Sequence, residues 1–280
     1  MAFSSANALN EYLSGSRQRI PFIKTATRTT VVNNPFSMFD IAGDPGAGTL
    51  AGTSTANGVV PTDATTGCPI INPFGSGNTG YLTRVECSSS AVSRIALYDM
   101  VFKAGAYAYN SGTTNLSSQP AISSRCPDYP GSGTVFGNGM EIWIEVSTAF
   151  TSATSWSVQV TYTNSDGTTG RTSIGLAAQA AAGLTIGKMF VISLAAGDSG
   201  VQKIESVIVT TGAAASGAFN VLIMRKLWEG RITQSNGMVV DNILQTGAPI
   251  VFADSAIVCV VTPDGTSSGT PNMNLEITNA

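Results

Sequence analysis

The chain has 280 residues, of which 14 are Lys or Arg and 17 are Asp or Glu, a net charge of −3. Charged residues form 11% of it, less than half of the roughly 25% of an ordinary globular domain. Histidine is absent, which excludes Ser-His-Asp and Cys-His catalysis, His-ligated zinc and the usual near-neutral acid or base. The acidic balance, with no basic stripe, argues against nucleic acid as a partner. A surface this poor in charge suits a protein held in an assembly better than a soluble monomer.

In chain order, residues 4–14 carry the one helical pattern. Ser4 or Ser5 can cap it, Ala6, Leu9 and Leu13 keep helical spacing, and Gly15 stops it. The segment has neither a basic n-region nor an apolar h-region, so it does not read as a secretory signal. Arg17, Arg19, Lys24 and Arg28 against Glu11 leave the first thirty residues at +3, opposite in sign to the −3 of the whole chain. They are expected to form a basic arm that contacts an acidic neighbour. Deleting residues 1–30 should then spare the β core.

From Asn33 to Gly80 the text is rich in Pro, Gly, Thr and Asn and reads as long loops, with short strands expected around Thr25–Val32. After Gly80 strand signals crowd together. Period-2 alternation runs through Ile142, Ile144 and Val146, through Val158, Val160 and Tyr162, and through Phe190, Ile192 and Leu194. It returns in Phe219, Val221 and Ile223 and in Met273, Leu275 and Ile277. The apolar runs Val207–Val209 and Ile257–Val261 suit strands buried on both faces. Ser157–Gly175 reads as a hairpin turning at Asp166 and Gly167.

The expected fold is therefore all-β: a β-sandwich or jelly-roll-like core with long Gly/Thr-rich loops and a short N-terminal helix and arm. Residues 1–30 form the helix and arm, 31–230 the core, and 231–280 either an extension of the same sheets or a small added module. Cys87 and Cys259 lie in apolar strand-like runs as small buried thiols. Cys68 and Cys126 each precede a proline in loops, where a bridge between them and two free thiols both fit. The apolar stretch from Ser206 to Met224 is interrupted by Gly, Ser and Thr, as two strands and a turn rather than a membrane span.

Few motifs carry chemistry. Gly75, Gly77 and Gly80 fit G-x-G-x-x-G, and Gly46, Gly48 and Ala51 its alanine-ended form, but the first leads into a strand where a nucleotide site needs a helix. No cofactor or metal site is expected. The sharper candidate is Glu141, Trp143 and Glu145, which share one face of a strand while Ile142 and Ile144 point inward. Two carboxylates beside an aromatic suit a nucleophile, an acid and a sugar platform. Their spacing resembles the E-x-D-x-E strand of laminarinase-type jelly-roll glycosidases, with Trp143 where that family has its central Asp. Their Cα atoms lie about 13 Å apart on a regular strand, so the side chains must lean together to reach the roughly 5 Å of a retaining pair.

Four strings carry a second likeness: RIALYDM (Arg94–Met100), MEIWIEVSTAF (Met140–Phe150), VTYTNSDGTTGRTS (Val160–Ser173) and ISLAAGDSGVQKIESV (Ile192–Val207). They resemble a group of tailed-bacteriophage virion proteins that share an LYD segment, a W-[LI]-E-V strand, a Y-T-N-x-x-G-T-x-G-R-T hairpin and a G-D-[ST]-G-V turn. The likeness spans Arg94 to Arg231, about half the chain. It implies a non-enzymatic structural component of the particle, a head decoration or cement protein, with a tail or fibre protein that touches glycans as the alternative. It also implies the major capsid protein and copies of the chain itself, as a homotrimer at threefold positions, as partners. The implied location is the capsid surface of a virion assembled in the bacterial cytoplasm, with no membrane contact. The basic residues Arg17, Arg19, Lys24 and Arg28 are the expected capsid contacts.

Overall fold

A computed structural model describes residues 17–151, 155–180, 183–211 and 216–279; the helix expected over 4–14 lies outside them. The described residues are nearly all β, as expected. In chain order the strands are β1 (Arg17–Lys24), β2 (Phe36–Ser37), β3 (Gly43–Asp44), β4 (Ser54–Val59), β5 (Gly80–Ser88) and β6 (Ser93–Ala108). There follow β7 (Thr113–Asn115), β8 (Met140–Thr148), β9 (Ser155–Asn164), β10 (Arg171–Thr172), β11 (Gln179–Ala180) and β12 (Met189–Ile192). The last are β13 (Val201–Thr211), β14 (Ala218–Ile232), β15 (Met238–Asp241), β16 (Ile250–Val251), β17 (Ile257–Pro263) and β18 (Asn272–Asn279). A single helical turn, Ile243–Thr246, is capped by the Asn242 side chain.

A seven-stranded antiparallel sheet, ordered β12-β8-β14-β6-β17-β2 with β4 also on β6, forms the centre. Its long strands β6 and β14 run through two separate cores. At one end Phe102, Ala104, Phe219, Val221 and Ile223, with Ile142, Ile144 and Val146 of β8, pack against β9 and β13 of a five-stranded sheet. There Trp156 meets Phe150 and Phe219 edge-to-face at 5.1 and 5.0 Å, each pair adding about 0.5–1.5 kcal/mol beyond its buried area. At the other end Ile95, Leu97, Trp228, Cys259 and Val261 pack against β1, β5 and β18 of a six-stranded sheet.

Both cores lie on the same face of the central sheet, and a β-bulge makes that so. β6 pairs Met100 with Met224 and Phe102 with Ile223, leaving Val101 as an extra residue. The extra residue switches parity, so the face that carries Ile95, Leu97 and Asp99 continues as Phe102 and Ala104. The opposite face holds Tyr98, Met100, Trp143, Leu222 and Met224, covered by Phe39, Leu50 and Cys68 from the long loops after β1.

One expectation about the start of the chain needs correcting. Residues 17–24 are strand β1, seated between β18 and β3, with Ile20 and Phe22 in the core. The strand expected around Thr25–Val32 is reduced to an isolated bridge between Thr29 and Ser267. Arg17, Arg19 and Lys24 had masked the alternation of Ile20 and Phe22. After Arg231, β17 pairs with β6 over seven residues and β18 lies between β5 and β1. The hairpin after Ser157 is present, though its second strand is only Arg171–Thr172. Its turn uses Gly167 at φ 81°, a value that favours glycine.

Between the two cores the Asp99 carboxylate sits fully buried. Arg125 and Arg225, both buried, form ion pairs with it, the latter at 3.2 Å. Ser255 Oγ donates to its Oδ2 at 2.8 Å and the Ala256 N–H to its Oδ1 at 3.1 Å. Arg125 also donates to the Pro61 carbonyl at 2.9 Å and Arg225 to the Ile250 carbonyl at 2.8 Å. The Asp254 carboxylate lies 3.7 Å from Arg125 Nε. Removing one member leaves a buried charge unpaired, so Asp99→Ala should lower unfolding free energy by about 3–5 kcal/mol, read as a fall in the denaturant midpoint. Deleting residues 1–30 removes β1 and should abolish folding, read as loss of the cooperative thermal transition.

Candidate functional site

Strand β8 does place Glu141, Trp143 and Glu145 on one face, which is open beside Glu141 and covered over Glu145. Trp143 is 7% exposed; its Nε1 donates to Glu141 Oε2 at 2.8 Å and its ring meets Tyr98 edge-to-face at 5.4 Å. Glu141 borders an open groove of about 290 Å³ with Arg94, Tyr98, Trp143, Lys226 and Glu229. Glu145 is outside that groove and 2% exposed. Its Oε2 accepts from Asn220 Nδ2 at 2.9 Å and lies 3.6 Å from Lys103 Nζ. The two carboxylates thus lie in different surroundings, one in a groove and one sealed beneath Leu50 and Gly52, whose backbone meets the Asn220 amide at 2.6 and 2.9 Å. Lys103 Nζ donates to the Thr49 carbonyl at 3.1 Å and stands 4.8 Å above the Phe39 ring.

The four basic residues of the expected arm do not act together. Arg17 and Arg19 project from β1, each 3.6 Å from the Glu276 carboxylate. The Arg19 side chain is 70% exposed. Lys24 is buried and donates to the Ile41 and Pro45 carbonyls, both at 3.0 Å; burial lowers its pKa. Arg28 is buried as well, donating to the Ser37 and Ile186 carbonyls at 3.1 and 2.8 Å and pairing with Asp40. Burial raises the pKa of Asp40 despite that pair. Lys24 and Arg28 therefore pin the loop that carries β2 and β3.

The most connected polar cluster joins the hairpin after β9 to the turn before β13. Asp198 accepts from Tyr162 Oη at 2.5 Å, from Asn164 Nδ2 at 2.9 Å and from Arg171 Nε at 2.9 Å. Tyr162 Oη accepts in turn from the Ala195 N–H at 2.8 Å. Beside them Glu205 accepts from Thr163 Oγ1 at 2.8 Å and from the Gly170 N–H, and Ser165 and Ser199 share a hydrogen bond at 3.1 Å. Burial pushes the Asp198 carboxyl up, but the hydrogen bonds from Arg171, Tyr162 and Asn164 outweigh it and hold the group down at about 2. Burial and the bond to Asp198 push the Tyr162 hydroxyl up to about 12.

All four cysteines are unpaired and buried, so Cys68 and Cys126 form no bridge. Burial pushes Cys68, Cys87 and Cys126 up to about 12. The glycines at 75, 77 and 80 lead into β5, a strand. Among the described residues, no cluster of His, Cys, Asp or Glu is arranged to hold a metal, and no helix is long and apolar enough to cross a membrane. Sequence reasoning missed Asp99, Lys103, Arg125, Asn220 and Arg225. The signal for three of them was a single polar residue inside an apolar run: Asp99 between Tyr98 and Met100, Lys103 between Phe102 and Ala104, and Asn220 between Phe219 and Val221.

No family model matches the chain, and no curated protein does. Among solved structures, the chain is weakly similar to capsid structures of infectious bursal disease virus. One is of the Gx strain, at 9% identity and TM-score 0.21 over 95% of this chain and 80% of that one. Another is a VP2 subviral particle, at 12% identity and TM-score 0.23 over 95% and 80%. A third is of T=1 particles derived from that virus, at 10% identity and TM-score 0.19 over 95% and 77%.

The Asp198 cluster has a pH signature. Its folded pKa of about 2 lies below the ordinary value of about 3.9, so it stabilises the fold above the ordinary value. That stabilisation is lost as pH falls from about 4 through about 2. Thermal midpoints measured across that window should fall more steeply for the wild type than for Asp198→Asn, which lacks the titrating group.

Proposed function

We propose that the chain is a non-enzymatic structural protein of a viral particle, binding the capsid surface of a tailed bacteriophage as a decoration or cement protein. One observation carries this reading. Each of the four strings that resemble the phage virion proteins supplies an internal anchor of the fold. RIALYDM supplies Asp99 to the waist, MEIWIEVSTAF supplies Glu145 to Asn220 and Lys103, and the other two strings interlock through Asp198. Residues engaged in this way support a scaffold that works by contact area, not a site that turns over substrate.

In this reading copies of the chain associate as a homotrimer over junctions between major capsid subunits, where threefold positions exist. Each contact of about 1,600 Å² is weak alone and strong when repeated. Arg17 and Arg19, which project from β1, supply the capsid-facing contact; Lys24 and Arg28 support it by holding β2 and β3 in place. A tail or fibre location with glycan contact is the second reading, favoured by the groove floored by Tyr98 and Trp143 beside Glu141, Glu229 and Arg94.

Quantitative mass spectrometry of purified particles tests the proposal. A copy number equal to that of the major capsid protein, or a simple symmetric fraction of it, is the expected result. A handful of copies per particle supports the tail or fibre reading, and absence from particles overturns both. Replacing Arg17 and Arg19 by Glu should reduce binding to undecorated capsids in a sedimentation assay while the circular dichroism spectrum stays unchanged. Replacing Glu141 or Glu145 by Gln should leave no polysaccharide hydrolysis to lose, because the wild type should have none.

A further inference from the structure

Lys103, Glu145 and Asn220 come from three neighbouring strands, β6, β8 and β14, with β14 in the middle. The register sets Asn220 opposite Glu145, and Leu222, two residues on, opposite Lys103. The three residues are 6%, 2% and 0% exposed. A single oxygen, Glu145 Oε2, faces both nitrogens, the amide Nδ2 of Asn220 at 2.9 Å and the amine Nζ of Lys103 at 3.6 Å. On the other side of the amide, Asn220 Oδ1 accepts the Gly52 N–H at 2.9 Å.

An amine, a primary amide and a carboxylate that accepts from the amide and lies 3.6 Å from the amine are the parts of a transamidation. We propose that Lys103 and Asn220 become joined by an intramolecular isopeptide bond, with Glu145 as the catalytic acid and base. Glu145 takes a proton from the Lys103 ammonium, and the freed Nζ attacks Asn220 Cγ. Negative charge then develops on Oδ1, where the Gly52 N–H already points. Glu145 returns the proton to Nδ2, the Cγ–Nδ2 bond breaks as the Nζ–Cγ amide forms, and ammonia leaves. The second proton lost from Nζ departs with it as ammonium. Nothing is oxidised or reduced, and no cofactor or co-reactant is needed. β6, β14 and β8 hold the three residues side by side, as an intramolecular step requires.

The competing reading of this geometry is a buried Lys103–Glu145 ion pair at 3.6 Å that holds the loop around Thr49 to Gly52. A Lys–Glu pair kept for its charge favours a contact of roughly 2.7–2.9 Å, whereas here the short contact of Glu145 is to the amide. A buried pair of that kind also adds little net stability. The inference concerns this chain alone and stands or falls independently of the particle role.

The test is the intact mass of the purified full-length chain, fresh and aged, followed by peptide mapping. The expected wild-type mass is lower than that of the sequence by one ammonia, with a branched peptide joining the segments around Lys103 and Asn220. Lys103→Arg and Glu145→Gln should keep the full mass and give only linear peptides. A wild type at full mass overturns the proposal, and this result does not depend on any variant folding. An ammonia loss mapped to another site, such as a succinimide at a surface Asn, overturns it too. A link that persists in Glu145→Gln overturns the assignment of Glu145.

Discussion

The arrangement of the molecule depends on the buried Asp99 carboxylate at the waist between its two cores. β6 and β14 are each long enough to serve both cores, and at their midpoints one face of the central sheet passes from one covering sheet to the other. Apolar side chains cannot close that seam, because the carbonyls of Pro61 and Ile250 and the amide of Ala256 converge there. Asp99, Arg125 and Arg225 satisfy these groups together and join three loops to the sheet. An ion cluster in such a place adds little net stability, but it makes wrong registers expensive. The neighbouring bulge at Val101 keeps the face continuous across the seam.

The same economy recurs elsewhere. Of the few charges this chain has, Lys24, Arg28, Asp99, Lys103, Arg125, Glu145, Lys188, Arg225 and Glu276 are buried, so the outer surface is poorer in charge than the composition indicates. Lys24 and Arg28 fasten the loop after β1, Lys103 and Glu145 fasten the loop around Thr49 to Gly52, and Asp198 fastens the hairpin to the turn before β13. Long Gly- and Thr-rich loops bring little apolar area of their own, and charge-assisted hydrogen bonds to their carbonyls hold them where packing cannot. The result is an extensive set of well-placed loops on a rigid β frame, with side chains such as Ile70, Val135, Val191 and Leu244 exposed on it. Such a surface offers contact area with little desolvation of charge.

The all-β class and the positions of β8, β9, β14, β17 and β18 were legible in the sequence. Period-2 alternation is a local property: it follows from the geometry of one strand with one face buried, and no distant residue can alter it. The hairpin turn at Gly167 was legible for the same reason, since its backbone angle is a requirement of the turn itself. Burial of both faces of β17 was likewise written in its unbroken apolar run. The inward direction of Ile142 and Ile144, and the opposite direction of Trp143, followed from the pleat.

What the tertiary structure alone decided is where the polar residues went. Glu141 and Glu145 look equivalent along a strand, yet one borders a groove and the other is sealed beneath Leu50 and Gly52 some 90 residues earlier in the chain. Arg17 through Arg28 look like one basic arm, yet β18, arriving from the far end of the chain, turns the first part into an interior strand. Lys103 and Asn220 are 117 residues apart and meet at one Glu145 oxygen because β6, β14 and β8 lie side by side. A charge is buried or exposed according to which partners arrive from elsewhere, and in a fold built from non-local strand pairs those partners are distant in sequence. Local pattern therefore determined the strands of this protein, and strand order determined the environment of its charges.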